Sequence, residues 1–174
     1  MKWSWKLGQV AGIGIFVHWT FLLLIAYVVY LFMSQGSDLA GVIDGILFVL
    51  AVFGCIVLHE LGHALTARRF GIQTRDITLL PIGGVARLER MPENPTQELL
   101  VALAGPAVNV LIAMVLAMVL ALQLLIGSSS HPEYFSRMLV VVLSGGSFLF
   151  NLMLINGILV VFNLVPAFPM DGGR

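Results

Sequence analysis

Apolar residues run through this chain in long uninterrupted blocks, not in the short periodic stretches of a soluble fold. Four such runs can be drawn: Val17 to Met33, Gly45 to Ala67, Leu99 to Ile126 and Met138 to Val165. Each reaches the length of about 17–25 residues that a helix needs to cross a bilayer. The last two exceed it, so tilt or an interruption is expected there. Between the second and third runs the pattern changes. From Ile72 to Arg90, short β-favouring stretches flank Pro81-Ile82-Gly83-Gly84, which reads as a hairpin or a re-entrant loop. It could be a plain connector, or a strand edge able to hold an extended peptide by β-addition.

Composition agrees with the pattern. Of 174 residues, 59% are hydrophobic and 10% charged, and the mean hydropathy is +1.01, outside the soluble range. The expected fold class is an all-α polytopic membrane protein with about four transmembrane helices and a short β-hairpin or re-entrant segment after the second. Net charge is zero, which provides no basic surface for nucleic acid. Lys2, Lys6, Arg68, Arg69, Arg75, Arg87, Arg90 and Arg174 fall on one side of the drawn spans and Arg137 on the other. The positive-inside rule then leads us to expect the N-terminus, the 68–98 segment and the C-terminus in the cytoplasm. Trp3, Trp5 and Trp19 suit an interfacial belt at the chain's entry to the bilayer. The first run lacks a cleavage site of the A-x-A kind around Ser34-Gln35-Gly36-Ser37, so it is read as retained and not as a secretory signal.

The second run carries the chemistry. His59, Glu60 and His63 form His-Glu-x-x-His. One helical turn separates the two histidines, so both imidazoles leave the same face and can grip one zinc ion. Glu60 is turned from that face by about 100°, placed to take a proton from a water and not to ligate. Between Gly45 and Ala67 it is the sole charged residue, and a carboxylate at membrane depth costs about 2.5 kcal/mol or more unless compensated. A cation beside it is the natural compensator. Cys55, one turn before His59, reads as an apolar packing residue in preference to a ligand. His18 reads as an interfacial histidine and His131 as a loop residue.

A catalytic zinc takes three protein ligands and a water. The third is sought in the run from Asn163 to Arg174, where Pro166 and Pro169 break the fourth helix just before Asp171. Asp171 in Asp-Gly-Gly could be a turn former, but opposite a His-Glu-x-x-His it is the best available ligand. His59-Glu60-Leu61-Gly62-His63, Ala104-Gly105-Pro106-Ala107-Val108-Asn109 and Asn163 to Arg174 together resemble the three signatures of the site-2 protease family of intramembrane zinc metalloproteases, in that family's order.

The resemblance implies one Zn2+ per chain held by His59, His63 and Asp171, with Glu60 as catalytic acid/base. It implies that Asn109 and Asn163 lie near the active site as substrate-binding or oxyanion groups, although Asn109 also suits helix-to-helix packing beside Gly105. The implied partners are the lipid bilayer and a membrane-protein substrate cut within or near its transmembrane segment, in a prokaryotic cell membrane with the active site toward the cytoplasm. Residues 1–174 are expected to form a single transmembrane metalloprotease core without a PDZ or CBS module; oligomeric state, substrate and regulatory signal are not specified by the sequence. Two other classes compete. A divalent-metal transporter also uses histidine and glutamate within the membrane, but the third run offers only Asn109 and Gln123 toward a permeation path. A non-catalytic zinc-binding scaffold is disfavoured by the intact His59, Glu60, His63 and Asp171.

Overall fold

The computed structural model describes residues 3–90, 92, 94–131 and 133–164. The chain divides into two compact units, Met1–Gly105 and Pro106–Arg174. Along it run β1 (Ser4–Val10), β2 (Ile13–His18), α1 (Phe21–Ser34), α2 (Leu39–Arg69), β3 (Thr74–Leu80), β4 (Gly83–Leu88), α3 (Pro95–Ser130), α4 (Tyr134–Leu143) and α5 (Phe148–Leu164).

The all-α expectation is corrected: four strands form one sheet in the order β1-β2-β3-β4. Two antiparallel hairpins, β1–β2 and β3–β4, are joined by a parallel pairing of β2 with β3 that sets Ile15 opposite Ile77 and Val17 opposite Leu79. The hairpin expected after the second apolar run is β3–β4. The N-terminal hairpin was not expected, since β2 occupies what read as the start of the first span. Its alternation of Ile13, Ile15 and Val17 inward is a strand period, not a helical one. What remains of that span is α1, whose 14 residues extend about 21 Å at 1.5 Å each, short of the bilayer core of about 30 Å.

By length and composition, α2 and α3 can each cross a membrane, and α4 with α5, bent by 49° at their break, make a third candidate if taken as one span. The interruption expected in the fourth run is therefore present, and its chemistry is local. Gly145, at φ +76°, follows the end of α4, and the N–H groups of Gly145 and Gly146 return to the carbonyls of Val142 and Val141, closing the helix as a Schellman motif. Ser147 then opens α5, its hydroxyl accepting from the Phe150 N–H at 3.3 Å.

Helix α2 is the axis of the first unit. Asp38 caps its start by accepting from the Gly41 N–H at 2.9 Å. Gly71, at φ +72°, ends it: the Gly71 and Ile72 N–H groups bond the Arg68 and Ala67 carbonyls. The apolar contact that accompanies such a cap is Ala67 with Ile72, and Val101 at the start of α3 joins the same cluster. One face of α2 lies on the sheet, with Leu61 and Ala64 against Ile13 and Ile77. Farther along, Phe53 packs against Val17, Phe21 and Leu79, meeting the Phe21 ring edge-on at 4.7 Å between centroids.

Candidate metal centre

The face of α2 that turns from the sheet carries His59 and His63, both buried. Their rings stand nearly perpendicular, and the two Nε2 atoms face each other 3.0 Å apart. His63 is fixed from outside its own helix, with Nδ1 lying 2.7 Å from the Val101 carbonyl oxygen. A carbonyl can only accept, so Nδ1 carries the proton, and when the ring is neutral its lone pair is at Nε2. That is the tautomer a metal-ligating imidazole needs, held by the kind of backbone partner such histidines have. A tetrahedral zinc with Zn–N near 2.0–2.1 Å separates two nitrogens by about 3.3 Å. The observed separation is within a few tenths of an ångström of that value, so the pair could share one such cation.

Glu60 points elsewhere, as the helical angle requires. It is half-buried and lies against Gly84 at the start of β4. A Cβ added at Gly84 would stand 2.9 Å from Glu60 Cγ and 3.3 Å from its Oε1, so the missing side chain on this edge strand is what admits the carboxylate. Helix and sheet thus place a carboxylate on the residue next to His59 and against β4, which is an edge strand among the described residues. Chemically the set can bind a divalent cation, move a proton and lie beside an extended chain.

The remaining expected residues are distributed as follows. Asn109 on α3 and Asn163 on α5 are both buried, Asn109 completely. Among the described residues neither amide atom of Asn109 has a hydrogen-bond partner. Asp171 lies outside the described residues, and among those described no group of three or more His, Cys, Asp and Glu side chains gathers about a metal position. Cys55 is buried within α2. His18 ends β2 with Nδ1 2.7 Å from the Thr20 hydroxyl. Sequence reasoning missed Asn156, wholly buried on α5 with Nδ2 donating to the Leu152 carbonyl at 2.8 Å. The signal was its spacing of two helical turns before Asn163, which puts both amides on one face.

Comparison with known proteins places this geometry. The model of Peptidase family M50 matches residues 47–174, a range that takes in α2 from Leu47 onward, the second hairpin and all three later helices. A zinc metalloprotease of Methanocaldococcus jannaschii is 37% identical over the whole of this chain, which covers 44% of that protein. A Synechocystis sp. protein provisionally named a zinc metalloprotease is 34% identical over 97% of the chain and 42% of its own length. The chain thus spans less than half the length of these two relatives. Among solved structures, the site-2 protease from Methanocaldococcus jannaschii superposes with a TM-score of 0.65 at 33% identity, covering 99% of this chain and 69% of that one. The chain belongs to peptidase family M50, the site-2 protease family.

Proposed function

We propose that this chain is the catalytic core of an intramembrane zinc metalloprotease that hydrolyses peptide bonds within or near the transmembrane segments of other membrane proteins. His59, His63 and Asp171 hold one zinc ion per chain, and Glu60 is the catalytic acid/base. The observation that carries the reading is the convergence of His59 and His63 Nε2 at 3.0 Å with His63 locked by Val101, one residue from a carboxylate in an apolar helix. Relatives named zinc metalloproteases support the metal, as does the resemblance for Asp171, which follows two helix-breaking prolines.

When bound, zinc lowers the pKa of a water and polarises the scissile carbonyl. Glu60 takes the proton from the attacking water and returns it to the leaving amine. Asn109 and Asn163 contribute amide donors toward the developing oxyanion, a role that the burial of both supports. The edge of β4 holds the substrate extended beside Glu60, and because a helix hides its carbonyls in hydrogen bonds, cleavage falls where Gly or Pro weakens the substrate helix. The active site opens toward the cytoplasm, as the distribution of basic residues indicates, and residues 1–174 act as one protease core.

Metal analysis tests the reading. The purified chain binds one zinc, His59→Ala and His63→Ala each lose it, and cleavage of a single-span substrate stops on chelation and returns with zinc. Full zinc binding by both variants would refute the ligand assignment.

A further inference from the structure

Helix α3 meets the two imidazoles with bare backbone. A Cβ built at Gly105 would stand 2.7 Å from His59 Nε2 and 2.6 Å from His63 Cε1, and would also collide with His63 Nε2. The position a methyl group would take at residue 105 therefore lies beside both Nε2 atoms, where an ion shared by them has to sit. Gly105 is buried, and it is not among the glycines with positive φ. Its conformation is one alanine adopts freely, and a helix-interior glycine is the less stable choice. Conformational freedom gives no reason for glycine here, whereas clearance does.

One turn earlier on the same helix, Val101 accepts from His63 Nδ1 at 2.7 Å, and its side chain is seated in the cluster of Ala67 and Ile72 that closes α2. Two features of α3 thus act on one ring at opposite nitrogens. Val101 fixes the direction of Nε2, and Gly105 puts no side chain in front of it.

We propose that Val101 and Gly105 are positioning residues of the metal centre, a brace on α3 that orients His63 and, by the absence of a side chain at 105, reserves the space into which His59 and His63 direct a divalent cation. This rests on the zinc reading above. It makes Gly105→Ala a metal-weakening substitution in which no ligand is altered.

The test uses the full chain in detergent, with Zn2+ titrated against a competing chelator and Co2+ absorption as a second reading of the site. Gly54→Ala serves as control, because a Cβ there meets nothing within 4 Å. Gly105→Ala should bind Zn2+ about 10- to 100-fold more weakly and change or lose the Co2+ bands. Its metal-free unfolding midpoint should fall only modestly, because the two imidazoles take up the clash, and Gly54→Ala should titrate as wild type. A Gly105→Ala protein with wild-type Zn2+ affinity and Co2+ spectrum overturns the brace. Absence of Zn2+ binding in wild type overturns the zinc reading itself, which separates the two. If Gly105→Ala does not fold, 15N spectra of histidine-labelled, metal-free wild type decide: His63 protonated at Nδ1 upholds the brace, and the Nε2–H tautomer overturns it.

Discussion

Gly84 lies so close to Glu60 that a Cβ on the glycine would stand 2.9 Å from the glutamate Cγ. The strand edge and the Glu60 carboxylate therefore meet across the α2–sheet interface. Gly84→Ala should push the Glu60 side chain aside without touching either histidine. Because a displacement of about 1 Å can cost a catalytic group about 100-fold in rate, cleavage should fall by about 10- to 100-fold while zinc content stays at the wild-type value. Paired measurements of initial rate and bound zinc check this, and loss of zinc together with rate would show that the contact supports the whole site instead.

Asn109 is completely buried, and among the described residues its amide has no hydrogen-bond partner. Such a group costs about 1–3 kcal/mol of folding stability. Asn109→Leu should therefore leave stability unchanged or raise it, yet lower the cleavage rate by about 100- to 1000-fold, the usual loss on removing one oxyanion donor. Unfolding curves and rates on the same preparation separate the two effects. An unchanged rate would return Asn109 to a packing role.

The support beneath the histidine helix is the cluster of Ile13, Leu61, Ala64 and Ile77, in which Ile77 is wholly buried. Ile77→Ala should cost about 2–5 kcal/mol and Ile77→Val about 0.5–1.5 kcal/mol. Equilibrium unfolding in mixed detergent measures both, and equal stabilities for the two variants would show that the sheet does not carry α2.

Much of this site could be read before any coordinates. His59 and His63 needed only the helical period, because one turn of α2 suffices to bring them together. The β3–β4 hairpin was announced by Pro81 and Gly83-Gly84, and the break between α4 and α5 by an apolar run longer than a bilayer. The β1–β2 hairpin was hidden for a physical reason. Ile13, Ile15 and Val17 run directly into the apolar α1, so a short strand period merges with a helical run, and the β3 residues that pair with β2 come about sixty positions later. The Val101 carbonyl could not be found at all, since every residue carries one and only the fold selects which faces His63. Gly105 was legible as a small residue at a helix contact, but not as the residue lying over both imidazoles.

The most direct test of the central claim is cleavage of a single-span model substrate in liposomes by wild type and Glu60→Gln, each with its zinc content determined. The account predicts equal zinc in both and cleavage by wild type alone. Cleavage by Glu60→Gln at the wild-type rate would contradict it.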